Sequence, residues 1–265
     1  MRKLPAWVGV FLSAGLAFAC GPSAGPTIIA TPTAIVTPTA IAASAPPSAE
    51  ASPVAAVRVP AIPAGSGTWG PYGGTAVTVG GVYFIDLGGL RYTFMVPTSG
   101  WWTNDYGDWL AVGKVHGDKG PMTRLFINAN DIGDDPGEVS TDACHWMGSE
   151  SIPGATVDDL VAAWAAVDGF ESSEPSETTV GGYRGKHLRL TVPADVNMAD
   201  CDNGQYFGVG GFWDIQPGQV QDIWVFDADG ARRVIWSAFD GNTPAEAQAD
   251  LTQLINSLQI EKVAS

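Results

Sequence analysis

The run Trp224-Val225-Phe226-Asp227-Ala228-Asp229-Gly230-Ala231-Arg232-Arg233-Val234-Ile235-Trp236-Ser237-Ala238 decides the fold. Two β-favouring segments, Trp224 to Asp227 and Val234 to Ala238, flank Asp227-Ala228-Asp229-Gly230. An Asp-Gly pair supplies the backbone of the tight turns that join antiparallel strands, so the stretch predicts a hairpin. Working outward, Leu90, Tyr92, Phe94 and Val96 alternate with Arg91, Thr93 and Met95. Leu188, Leu190 and Val192 alternate in the same way with His187, Arg189 and Thr191. A period of two puts one set on a buried face and the other outward. Weaker strand signals lie at Ala76–Val79, Val82–Leu87, Leu110–Val115 and Arg124–Asn128.

Two helices have readable starts. Thr156 caps a helix running to about Val167, with Asp159 at the third position and an apolar stripe of Val157, Leu160, Val161 and Trp164. Thr243 caps a second, with Pro244 at its first position and Glu246 completing a capping box; Leu251, Leu254, Ile255 and Leu258 face the core. Strands that dominate two helices predict an α+β domain, an antiparallel sheet flanked by helices, over residues 69–262.

Residues 1–19 read as a signal peptide. Arg2 and Lys3 give the positive start, and Trp7 to Ala19 is apolar or small apart from Ser13. That run is shorter than the ~20 residues a membrane span requires. Ala17-Phe18-Ala19 forms a small-x-small cleavage pattern, and Cys20 follows at once. Leu16-Ala17-Phe18-Ala19-Cys20 resembles a bacterial lipobox, with Ala17 in the usual Leu place and a bulky Phe18. Cys20 is therefore expected to be lipidated as the first residue of the mature chain; simple cleavage after Ala19 would instead leave a free thiol. Parity supports the lipid. There are three cysteines, and lipidation of Cys20 leaves Cys144 and Cys201 to form a disulfide outside the cytoplasm.

Residues 20–68 form a Pro/Thr/Ala-rich tether holding nine of the 19 prolines, no aromatic residue, and only Glu50 and Arg58 as charges. Proline blocks helix propagation and restricts the residue before it, so the segment is expected to be disordered and extended, at most ~150 Å long. Together these features place the protein extracytoplasmically, lipid-anchored to the membrane at the cell surface.

Charge narrows the partners. The formal net charge is −15, or about −17 once Arg2 and Lys3 leave with the leader. Such a surface repels phosphate backbones, so nucleic acid is excluded.

Catalytic patterns are missing. There is no Gly-x-Ser-x-Gly elbow, no His-x-x-x-His and no phosphate-binding Gly-Lys-Ser/Thr. His116, His145 and His187 are read as structural or exposed, and Gly208-Val209-Gly210-Gly211 as a loop or hairpin end. Asp131, Asp134, Asp135 and Glu138 fit a solvated turn better than a calcium site. No metal and no cofactor is expected.

The aromatic residues are the strongest binding signal. Trp101, Trp102, Tyr106 and Trp109 fall among Thr103, Asn104, Asp105, Gly107 and Asp108. Aromatic faces beside amides and carboxylates suit sugar rings or a protein interface, and core packing is the competing explanation. Tyr206, Phe207, Phe212 and Trp213 bracket the glycine loop. Trp101, Trp102, Tyr106 and Trp213 are the candidate ligand-binding set.

Several blocks also recur in a familiar order: Tyr92 to Pro97, Asp142 to Trp146, Thr179 to Asp195 with Cys201-Asp202, Pro217 to Gly230, Thr243-Pro244, and Leu254 to Leu258. Together they resemble a domain of unknown function in exported proteins and lipoproteins of actinobacteria and related monoderm bacteria, over roughly residues 90–262. The order of elements is similar to the PsbP-like α/β sandwich, which several mycobacterial surface lipoproteins adopt. Such domains act mostly as binding or assembly modules, and the resemblance assigns no site residues. The function expected is non-catalytic binding of an envelope glycan, glycolipid or protein. The alternatives are a structural spacer with no ligand and a hydrolase built on two scattered carboxylates.

Overall fold

The computed structural model describes residues 74–116, 120–129, 138–211 and 215–263. The expected signal peptide, Cys20 and most of the acidic turn at 131–138 lie outside them, as do residues 21–68. In chain order the strands are β1 (Thr75–Ala76), β2 (Val82–Leu87), β3 (Leu90–Met95), β4 (Trp101–Asp105), β5 (Trp109–Val115), β6 (Met122–Asn128), β7 (Val139–Ser140), β8 (Glu150–Ser151), β9 (Glu171–Ser172), β10 (Ser176–Val180), β11 (Tyr183–Thr191), β12 (Val220–Ala228), β13 (Ala231–Phe239) and β14 (Gln259–Lys262). The helices are α1 (Val157–Ala165) and α2 (Ala245–Asn256).

The 224–238 hairpin is the spine of the main sheet. β12 and β13 pair from Val220↔Phe239 to Ala228↔Ala231, which leaves Asp229-Gly230 as the two-residue loop. Both loop residues have positive φ, 60° and 85°. Gly230 accepts this without a Cβ clash, and Asp227 Oδ1 receives the Gly230 amide at 2.7 Å. Outward from this hairpin the sheet is antiparallel, in the order β1-β4-β5-β6-β13-β12-β11-β10, with β9 also on β11. A second sheet, β14-β3-β2, packs against one face of the first. β7 and β8 form a separate ribbon.

Alternation sorts the main sheet into two faces. One carries Leu110, Val112, Leu125, Ile127, Ile235 and Phe226, and closes on Leu251 and Leu254 from α2, on Leu258 just after it, and on the small sheet. The other carries Leu188, Leu190, Ile223, Val225, Val234 and Trp236, and closes on Leu160, Val161 and Trp164 of α1. Burial of each such side chain contributes ~1.5–3 kcal/mol, which fixes the register of every central strand.

α1 begins as the sequence indicates: Thr156 Oγ1 accepts from the Asp159 amide at 3.1 Å, and Asp159 Oδ2 accepts from the Thr156 amide at 3.0 Å. α2 does not. Its cap position is Pro244, in extended backbone (φ −57°, ψ 147°), and no side chain caps it. The start is shifted one residue past Thr243, whose carbonyl accepts from the Gln248 side-chain Nε2 at 2.9 Å while its own hydroxyl is buried without a partner in the described structure. α2 also ends at Asn256, so Leu258 lies beyond it, just before β14.

Cys144 and Cys201 form a disulfide. It staples the 142–146 turn to the 3-10 turns around 198–204, where Asp142 Oδ1 accepts from the amides of Cys144 and His145, both at 2.8 Å. Among the described residues no helix is long and apolar enough to cross a membrane.

Candidate functional site

The register of β11, β12 and β13 sets three polar residues in one row. Arg189 lies opposite Asp222, and Asp222 lies opposite Ser237. The next row on the same face holds His187, Trp224 and Ile235. α2 crosses this face, and between it and the strands lies a cleft of about 370 Å³. Ser176, Thr178 and Thr179 of β10 line one wall. Gln248, Thr252 and Asn256 line the α2 side together with Leu251 and Ile255. The volume sits near the lower end of small-molecule sites, and the mixture of apolar wall with a few convergent polar groups is the usual chemistry of one.

Asp222 is the hub. Its residue is 6% exposed. Oδ1 accepts from His187 Nε2 at 2.8 Å and Arg189 Nε at 2.9 Å, and Oδ2 accepts from Arg189 Nη2 at 2.8 Å. Burial pushes the carboxyl upward, but the hydrogen bonds and charges of His187 and Arg189 outweigh it and hold the group below the usual carboxylate range. An ionised carboxylate only accepts, so Nε2 is the protonated ring nitrogen of His187 in this pair. Arg189 is in turn held further toward its protonated form by the bond to Asp222.

This arrangement is poor catalytic machinery. Ser237 Oγ is buried and hydrogen-bonds to neither His187 nor Asp222. The pairing of nucleophile and base that activates a serine is therefore not formed. Among the described residues Asp222 is the single carboxylate lining the cleft, whereas glycoside cleavage by carboxylates requires a facing pair. What the cleft does offer is a half-buried indole, Trp224, with hydroxyls and amides converging beside it.

The sequence-marked aromatic run divides. Successive strand residues point to opposite faces, so Trp101 and Trp102 cannot share one. Trp101 is 1% exposed in the α2-side core, its Nε1 donating to Thr98 Oγ1 at 3.2 Å. It is a core residue, which corrects its assignment as a ligand contact. Trp102 is half-buried on the other face and lies over its cross-strand partner Gly113: a Cβ there would meet the indole at 2.3 Å. Tyr106 stacks on Trp109 with centroids 3.8 Å apart, Trp109 packs on Phe126 at 5.9 Å, and Phe126 stacks on Trp236 at 3.9 Å. Trp102 and Tyr106 thus belong to a ring-packed layer on the α1 side. Trp213 and Phe212 lie outside the described residues. Tyr206 is 2% exposed, and Phe207 packs on Trp146 at 5.8 Å. Gly208 and Gly211 close a tight loop by exchanging backbone hydrogen bonds of 2.9 and 3.0 Å.

His187, expected to be structural or merely exposed, lines the cleft and is bonded to Asp222. Arg189, Asp222, Trp224 and Ser237 were not marked as site residues. The available signal was that Leu188/Leu190 and His187/Arg189 alternate on a central strand, so a second covered face would gather the polar set.

No family model and no curated protein matches the chain. Among solved structures, it is similar to LpqN, described as involved in cell envelope biogenesis of Mycobacterium tuberculosis: 13% identity, TM-score 0.35, covering 64% of this chain and 83% of that one. A likeness of that size does not transfer LpqN's role.

Proposed function

We propose that this is a lipid-anchored cell-surface protein whose folded part, which we read as a PsbP-like sandwich, binds an envelope glycan or glycolipid headgroup without transforming it. The leader, Cys20 and the tether of the sequence support the location. The observation that carries the binding reading is the cleft under α2, which Trp224 lines together with hydroxyl and amide side chains while His187 and Arg189 are bonded to Asp222. A spacer domain has no use for such a cleft, and a two-carboxylate hydrolase would require a second acid in it. Trp102 and Tyr106 support the fold rather than the ligand in this reading.

The experiment compares wild type with Thr252→Trp, which plugs the cleft from an exposed position on α2. Each full-length mature protein is equilibrated with an extract of its own envelope, washed, and its retained small molecules are weighed by mass spectrometry. Wild type retains a compound that the plugged variant loses, and the compound leaves with the mass it had in the extract. Equal retention by both proteins would remove the cleft from the account, and a changed mass would make the protein an enzyme.

A further inference from the structure

Resting on that reading of the cleft, we infer that it selects an uncharged, polyhydroxylated ring, and that Ser237 is the residue that determines this specificity. Two independent observations carry the inference. The first is charge. Arg189 and Asp222 form a two-pronged pair, and His187 takes the remaining side of Oδ1. Arg189 is half exposed and uses two of its five N–H donors on Asp222. An anionic ligand that reaches the guanidinium sits beside the Asp222 carboxylate, and a cationic ligand that reaches the carboxylate sits beside the guanidinium, so each meets a like charge as well as an opposite one. A neutral ligand meets no such opposition.

The second is Ser237. It is 1% exposed on the floor of the cleft, and its hydroxyl has no partner within the described structure. A buried unsatisfied hydroxyl costs stability, and alanine would fit the same place. A group that weakens the fold yet lines a cleft is the pattern of a site in which stability is given up for binding. Ligand hydroxyls both donate and accept, so they satisfy Ser237 Oγ whichever way its proton turns. Trp224, half-buried in the adjacent row with the His187 ring centroid 5.1 Å away, lines the cleft with Gln248 and Thr178 and supplies apolar surface for the flat side of a ring.

The test uses the full-length mature chain and methyl glycosides of glucose, galactose and mannose, with methyl glucuronide as the charged counterpart and octyl glucoside, below its micelle concentration, as the lipid headgroup. Amide and indole NMR shifts report binding, with the Trp224 indole assigned by its loss in Trp224→Phe. At least one neutral methyl glycoside shifts Trp224 and Ser237, binds at least tenfold more tightly than the glucuronide, and loses about tenfold in Ser237→Ala, while that variant melts at a higher temperature than wild type. Octyl glucoside binding far more tightly than methyl glucoside identifies a glycolipid headgroup; equal binding identifies free glycan. Glucuronide binding as well as the neutral sugars, or Ser237→Ala binding them unchanged, overturns the inference and leaves the cleft as a ligand site. No shift at Trp224 with any sugar overturns the inference as well, and the envelope-extract comparison then decides separately whether the cleft binds anything.

Discussion

Ser237 and Asp222 sit directly opposite each other on β13 and β12, yet no hydrogen bond joins their side chains. The carboxylate's oxygens are committed to Arg189 and His187, and the serine hydroxyl is left over. Ser237→Ala should therefore stabilise the free protein by about 1–2 kcal/mol, since it deletes a buried unsatisfied group without opening a large void. In a domain of this size that raises Tm by roughly 2–8 °C, readable by calorimetry. A lower Tm would show that Ser237 holds the sheet together.

Asp222→Asn should have the opposite effect. The amide cannot match the charge-assisted bonds from Arg189 and His187, and a loss of about 2 kcal/mol at pH 7 is expected, toward the lower end for a buried pair because Arg189 is half exposed. The pH dependence follows from the lowered carboxyl. A depressed pKa contributes stability that is present above the unfolded value of about 3.9 and lost as pH falls through the folded one. Urea unfolding should show a wide gap between wild type and variant at pH 7 that narrows below about pH 4. A constant gap would mean that the carboxylate's charge is not what Arg189 and His187 recognise.

Tyr92 is fully buried between β3 and the core, and its hydroxyl has no partner in the described structure. Burial pushes its ionisation up to about 12. Tyr92→Phe should stabilise the protein by about 1–2 kcal/mol, and ultraviolet titration should show one fewer late-titrating tyrosine. Destabilisation would reveal a bond to this hydroxyl in the native state.

The Cys144–Cys201 bridge closes a separation of 57 residues. On the chain-entropy account, Cys144→Ser with Cys201→Ser should cost about 4 kcal/mol. The first backbone amides to lose hydrogen-exchange protection should be Phe207 and Asp202, which bond to the carbonyls of Ala143 at 2.7 Å and Cys144 at 2.8 Å. Unchanged protection there would mean that the turn holds without the bridge.

Gly113 and Trp102 form a cross-strand pair in which the indole covers the glycine. Gly113→Val has no room for its side chain and must displace the ring, at about 1–3 kcal/mol. Near-ultraviolet circular dichroism should lose intensity in the indole region. An unaltered spectrum would place Trp102 elsewhere.

Much of the sheet was legible because alternation is a local signal. The 224–238 hairpin, β2, β3, β5, β6 and the Thr156 cap follow from residues within a few positions of one another. β4 was hidden because Thr103, Asn104 and Asp105 are all buried, so its pattern shows no polar-apolar rhythm. β10 is an exposed edge strand, Ser-Glu-Thr-Thr-Val, with no apolar stripe, although the Gly181-Gly182 pair after it is a hairpin signal in plain view. The Thr243 box failed by a one-residue shift, because Pro244 in extended backbone starts the helix later than its neighbours suggest.

The cleft was harder to read for a topological reason. Its wall comes from β10 through β13 and from α2, so its decisive groups come together from segments far apart along the chain. On β11 the alternation rightly separates Leu188 and Leu190 from His187 and Arg189. The polar set reads as solvent-facing only if the sheet has one covered face, and here both faces are covered. The tryptophans that drew attention, Trp101 and Trp102, were conspicuous by density, yet one lies in the core and the other lies over a glycine.

A crystal structure of the mature chain soaked with the compound it retains from its own envelope tests the central claim most directly. The account predicts density for an uncharged ring between α2 and Trp224, within hydrogen-bond reach of Ser237, with the Arg189–Asp222 pair intact. Density against Trp102 and Tyr106 on the opposite face, with the cleft empty, would contradict it.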